Sequence, residues 1–154
     1  MSCPLRVTCL PTSPIAGQRP GTSGLRKPTA TFIGACEPAL AAPGGAAPFL
    51  AAGGRYLANF VQAMLDALPR ASVVGATLVL GGDGRAWTRE AAQIIAKIAA
   101  ANGVARLWVG RGALLSTPAV SALIREREGG AAAGGIILTA SHNPGGLDHD
   151  FGIK

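Results

Sequence analysis

From Arg55 onward, apolar residues recur at helical spacing. Tyr56, Phe60, Met64 and Leu68 follow one another every fourth position, with Leu57, Val61 and Leu65 one residue on, so a broad apolar face predicts a helix that ends at Pro69. Ala76 to Leu80 is a short run of β-branched residues and leucine closed by Gly81 and Gly82, which predicts a buried strand. Thr88 to Ala101 places Ala91, Ile94, Ile95 and Ile98 on one side and Glu90, Gln93 and Lys97 on another, with Asn102-Gly103 as a left-handed stop. Arg106 to Val109 predicts a second strand. Thr117 as N-cap and Pro118 at the first helical position predict a helix running to about Arg127, and Gly135 to Thr139 predicts a third strand. Strand, helix, strand, helix, strand at this spacing implies two right-handed crossovers and a parallel sheet covered on both faces, an α/β domain. Ligands of such sheets bind beyond the carboxyl ends of the strands. Gly81-Gly82-Asp83-Gly84, Gly110-Arg111-Gly112 and Ala140-Ser141-His142-Asn143 all fall there.

The chain before Arg55 has no such periodicity. Pro4, Pro11, Pro14 and Pro20 suit an extended arm over residues 1–19 that follows a sheet edge. Residues 34–54 are nearly all Ala, Gly and Pro, and so little bulky apolar surface cannot offset the entropy of ordering. They read as a low-complexity insertion within a domain spanning 20–154.

Composition narrows the class. At 154 residues one domain is expected. The hydrophobic fraction of 49% is carried mainly by alanine, with only 5% aromatic residues, and no apolar stretch reaches the roughly 20 residues a bilayer demands, so no membrane association is expected. Fourteen basic against eight acidic residues give +6, which favours anionic partners. The cations are scattered and not interleaved with aromatics, which argues for phosphate and against nucleic acid. Cys3, Cys9 and Cys36 have no metal-ligand spacing and fit a reducing compartment. The absence of acidic residues before Glu37 is a transit-peptide trait, but the segment is neither Ser-rich nor amphipathic, so the cytoplasm comes first and a plastid second.

Two segments carry candidate chemistry. In Thr139-Ala140-Ser141-His142-Asn143-Pro144-Gly145-Gly146 a strand ends in a hydroxyl, an imidazole and an amide before a Pro-Gly-Gly break. Pro144 keeps Asn143 out of helix, and the glycines can take positive φ, so the loop can present the Ser141 hydroxyl at its tip. Asn-Pro-Gly is equally the chemistry of a plain turn. Pro20-Gly21-Thr22-Ser23-Gly24-Leu25-Arg26-Lys27 sets small residues around two hydroxyls and ends in two cations, which suits a backbone approaching phosphate with Arg26 donating two hydrogen bonds. A solvated basic loop has the same composition. Asp83 and Arg85 read as a turn with a local ion pair, outside catalysis. Asp148-His149-Asp150 reads as a solvated loop, because adjacent residues rarely converge on one ion.

Taken in order, GTSGLR (21–26) and TASHNPGG (139–146) resemble the phosphohexomutase superfamily. VLGGDGR (79–85), IAKIAAANGVARLWVG (95–110), LLSTPAVSALIRER (114–127) and DFGIK (150–154) are similar to consecutive segments of the first domain of the phosphoglucomutase family, the last three in its plant-type form. The resemblance covers residues 17–33 and 55–154. It implies a three-layer α/β/α domain with a mixed, largely parallel sheet. It also implies an isomerase that interconverts glucose 1-phosphate and glucose 6-phosphate through a phosphoserine, with Mg2+ and glucose 1,6-bisphosphate. Ser141 matches the phosphorylated serine, one of whose phosphate oxygens would hold the metal. The resemblance makes His142 a hydrogen-bond donor near the transferring group and Lys154 a general acid or base. Arg26, with Thr22 and Ser23, matches the phosphate-facing loop. The family has Pro-Asn where this chain has Leu147-Asp148, which bears on the loop's shape and not its serine.

The family's later domains, with the carboxylate metal loop and the sugar-selecting loop, have no counterpart in this sequence, so the chain alone is expected to be inactive. The full-length enzyme implied is a monomer acting on a small hexose phosphate. Three other readings stay open: a catalytically silent structural or interaction relative, a mutase for another hexose phosphate, and a basic nucleic-acid binder.

Overall fold

The computed structural model describes Val7, residues 11–33 and residues 55–154; the low-complexity segment 34–54 lies outside the described residues. Within them the elements are β1 (Leu25–Pro28), α1 (Thr29–Ile33), α2 (Arg55–Asp66), β2 (Thr77–Gly82), α3 (Thr88–Ala101), β3 (Arg106–Leu114), α4 (Thr117–Glu126), β4 (Gly134–Leu138) and β5 (Asp150–Ile153). The strands form one sheet in the order β1-β5-β4-β2-β3. β2 pairs parallel with both β3 and β4, through Leu78↔Leu107 and Leu80↔Ile136, while β5 runs antiparallel to β4 and to β1. The sheet is therefore mixed, with a parallel centre and an antiparallel pair at one edge.

Alternation along the strands divides the interior in two. Leu80, Ile136 and Leu138 face α1, α2 and α3, where Phe32, Leu57, Val61, Ile95, Phe151 and Ile153 complete the larger core. Val79, Trp108 and Ile137 point to the other face, which α4 covers with Val120, Leu123 and Ile124. The crossovers β2–α3–β3 and β3–α4–β4 move across the sheet in opposite directions, which puts their helices on opposite faces and makes three layers. Phe32, Tyr56, Trp87 and Phe151 meet edge-on or tilted, with the Phe32 and Phe151 centroids 5.0 Å apart. This aromatic group clamps α1 and α2 to β5.

Several boundaries differ from the sequence expectation for local reasons. Gly81 and Gly82 belong to β2, paired with Ile137 and Leu138, and do not close it. A Cβ on Gly82 would lie 2.5 Å from the Leu138 carbonyl oxygen, so glycine is there for close strand approach and not for a turn. β3 continues past Val109 to Leu114, because Gly110–Ala113 bulge outward between the pairs Leu80↔Val109 and Gly82↔Leu114. The N-cap of α4 is Ser116, whose hydroxyl accepts from Ala119 N–H at 3.3 Å, which puts Thr117 and Pro118 in the first turn. Leu68 lies beyond the end of α2 and is exposed. Residues 12–20 run along α2 and not along a sheet edge: Ser13 N–H donates to Asn59 Oδ1, and the Gln18 side chain donates to the Tyr56 carbonyl and accepts from Asn59. At the end of α3 the expected stop is present, with Gly103 at φ +86°.

Candidate active site

β4 delivers the chain to the carboxyl rim at Thr139, and the loop from Ala140 to His149 returns it antiparallel as β5. Ser141 and His142, the first residues clear of the sheet, are both exposed. Ser141 has φ +61°, the left-handed region, although it carries a side chain. The expected source of that freedom, Gly145-Gly146, lies farther along the loop. The serine itself bends, and its N–H turns back to the Thr139 hydroxyl at 2.9 Å.

The loop is fastened at three points. Thr29, the first residue of α1 and fully buried, faces its far end: Oγ1 lies 2.9 Å from the Gly146 carbonyl and 2.7 Å from that of His149, which also accepts from Thr29 N–H. These contacts bracket Leu147-Asp148 and hold the loop closed there. Asn143 Nδ2 donates to the Asp150 carboxylate across the loop's base. Arg85 reaches under the loop, donating to the carbonyls of Ser141 (3.4 Å) and Asp150.

Arg85 is itself gripped by Asp83, with Nε 3.0 Å from Oδ1 and Nη2 2.8 Å from Oδ2; its side chain is only 6% exposed. Asp83 Oδ2 also accepts from the Thr139 hydroxyl at 2.6 Å. Partial burial pushes the Asp83 carboxyl up. The hydrogen bonds from Arg85 and Thr139, with the Arg85 charge, outweigh it and hold the group below its ordinary value. The turn reading of Asp83 and Arg85 is correct as far as it goes, since Arg85 N–H also donates to Asp83 Oδ1 at 3.3 Å. It misses the links to Thr139 and Ser141, which are far apart in sequence and visible only once β2 and β4 are known to be neighbours.

The other candidate residues stand apart from the serine. Gly21 and Gly24 exchange backbone hydrogen bonds, which puts Thr22 and Ser23 at the exposed tip of a tight turn. Gly24 is essential to it: φ is +90°, and a Cβ would lie 2.2 Å from the Ile153 carbonyl. Arg26 pairs with Gly152 in β5, and its Nε is buried with no hydrogen-bond partner. Lys154 exchanges backbone hydrogen bonds with Ile137, and its side chain is half-buried. The register thus sets Lys154 four residues before the level of Ser141, roughly 13 Å along the strands, and Arg26 two strands across from β4, roughly 10 Å sideways. Of the three rim loops, those carrying Asp83 and Ser141 meet directly. The Gly110–Gly112 bulge lies on the far side of β2, beside Leu114 and Arg89.

Among the described residues no three His, Cys, Asp or Glu side chains come together as a metal cage. Both oxygens of Asp83 are engaged by Arg85, one of them also by Thr139, and Asp150 is held by Asn143. The donor set present does not fit a divalent cation.

Fold and rim together define a class: an α/β/α domain that offers a serine hydroxyl on a strained, tightly fastened loop at the carboxyl end of a central strand. Residues 53–154 match the family model for phosphoglucomutase/phosphomannomutase, alpha/beta/alpha domain I, and the chain belongs to that family. It is 56% identical over 146 residues to a cytoplasmic phosphoglucomutase of Bromus inermis, covering 93% of this chain and 22% of that protein. To a probable cytoplasmic phosphoglucomutase of Arabidopsis thaliana it is 54% identical, covering 97% and 23%, and to a chloroplastic phosphoglucomutase of Marchantia polymorpha 50%, covering 97% and 20%. The open form of the exocytosis-sensitive phosphoprotein pp63/parafusin from Paramecium, a phosphoglucomutase, superposes with a TM-score of 0.74 at 44% identity, over 93% of this chain and 22% of its own. The chain spans about a fifth of the length of the curated relatives it matches. Among the described residues no helix is long and apolar enough to cross a membrane.

Proposed function

We propose that the chain supplies the phosphoryl-carrying serine of a phosphoglucomutase, acting in the cytoplasm on glucose 1-phosphate and glucose 6-phosphate. The observation that carries this reading is Ser141: an exposed hydroxyl on a left-handed residue, at the carboxyl end of β4, fastened from below by Arg85. Of the four non-glycine residues with positive φ among the described residues, Trp87, Ala113, Glu128 and Ser141, only the serine brings a hydroxyl to the carboxyl rim.

In the proposed step a phosphoryl group passes from glucose 1,6-bisphosphate to Ser141 Oγ. The new O–P bond replaces the O–P bond to the sugar, and the serine's proton goes to the released sugar oxygen. Transfer of this kind depends on positioning and charge neutralisation more than on covalent help from the protein. His142, adjacent and exposed, donates to the phosphoryl oxygens. Arg26, with its unpaired buried Nε, and Lys154 add positive charge on the β1–β5 side, with Thr22 and Ser23 at the turn beyond. Phosphorylated Ser141 would offer Mg2+ one oxygen, and no carboxylate cluster among the described residues is placed to complete a site. The metal would supply charge neutralisation there.

Incubation with glucose 1,6-bisphosphate and Mg2+ followed by intact and fragment mass measurement tests the reading. One added phosphoryl group on Ser141, absent from Ser141→Ala, is the expected result. Modification at another residue, or none, overturns it, and the second outcome is the one a catalytically silent relative would give.

A further inference from the structure

An Asx-type turn accounts for the Arg85 N–H on Asp83, and Thr29 accounts for the far end of the loop. Neither explains why Ser141 holds φ +61°. Serine in the left-handed region costs free energy that a neighbouring structure must over-determine.

The over-determination runs through Thr139. Its single hydroxyl proton is committed to Asp83 Oδ2 at 2.6 Å, because an ionised carboxylate only accepts. The hydroxyl's lone pairs are thereby directed away from Asp83, and one accepts Ser141 N–H at 2.9 Å. Asp83 is in turn fixed by Arg85, whose guanidinium also donates to the carbonyls of Ser141 and Asp150, the two ends of the loop. Both backbone polar groups of Ser141 are thus taken by side chains anchored on β2 and β4. Two consequences separate this arrangement from an anion-binding nest. Ser141's own amide is occupied and does not face a phosphate, and Arg85, 6% exposed and neutralised by Asp83, is not a phosphate ligand.

We propose that Asp83, Arg85 and Thr139 are positioning residues that impose the left-handed conformation of Ser141 and so aim its hydroxyl. This rests on the reading of Ser141 as phosphoryl carrier, but its test needs no phosphoryl donor, so the two can fail separately. The measurement is amide hydrogen exchange of the 15N-labelled chain, read at Ser141 and, as a control, at Val79 and Leu80 in the sheet. Wild-type Ser141, though exposed, is expected to exchange about tenfold more slowly than an unstructured amide, the protection one hydrogen bond gives. Thr139→Val, of the same shape, is expected to abolish that protection and shift the Ser141 resonance while Val79 and Leu80 stay protected; Thr139→Ser is expected to restore both. If Thr139→Val does not fold, Asp83→Asn is read at the same amide with the same expectation. Exchange of wild-type Ser141 at the unstructured rate overturns the proposal. So does a loss of protection that is equal at Ser141, Val79 and Leu80, since that is general destabilisation and not positioning.

Discussion

At φ +61° Ser141 brings its Cβ against backbone, at a cost of about 1–2 kcal/mol that glycine would not bear. Ser141→Gly should therefore raise the denaturant midpoint relative to Ser141→Ala by about 1 kcal/mol of stability, although both remove the hydroxyl. Equal midpoints would mean that the backbone there is not strained. The second residue-level expectation concerns acid. Asp83 is held below its ordinary value in the folded chain, so it titrates at lower pH there than in the unfolded chain. Its contribution is fully present above about pH 4, the unfolded value, and is lost as pH falls through the lower, folded one. Wild-type stability should fall more steeply than that of Asp83→Asn as unfolding is followed from pH 5 to pH 2.5; parallel curves would contradict the assignment. The exposed loop position of Ser141 was legible in the sequence from the residues around it. Its strain was not, because its causes, Asp83 and Thr139, become neighbours only when β2 and β4 pair.

Among the elements, the helices α2 and α3 could be read closely from spacing, since burial of one face at period 3.6 leaves a direct trace: Leu57, Val61, Ala91 and Ile95 are all fully buried. Glycines left no such trace. Gly81-Gly82 looks like a strand terminator, but its role is to let β2 lie close to Leu115 and Leu138. Gly82→Ala should cost about 1–3 kcal/mol by forcing β2 from the Leu138 carbonyl, whereas Gly134→Ala, whose Cβ would meet nothing within 4 Å, should be close to neutral in the same unfolding measurement. A one-residue error in placing a cap is of the same kind, since Ser116 and Thr117 are chemically equivalent candidates. Ser116→Ala should lower stability by about 1 kcal/mol, and Thr117→Ala by clearly less.

On the scale of the whole molecule, the three-layer architecture and the parallel centre follow from the alternation of strands and helices. The antiparallel edge does not: β1 and β5 are four residues each, too short for a periodic signature, and neither is joined to its neighbours by a crossover helix. Arg26 and Lys154 both lie on that edge. The edge also has a consequence for the birth of the chain. Of the five described strands β1 is the first in the chain, yet it pairs with β5, the last of them. Until Asp150–Ile153 emerge, Leu25 has no strand to lie against and the loop of Ser141 has no far anchor, because Thr29 holds that loop's His149 end. Closing a contact across so much intervening chain is entropically slow. Leu25 and Ser141 should therefore reach their native surroundings together and late in refolding, after α3 has settled onto β2 and β3, an order that pulsed hydrogen exchange would reveal.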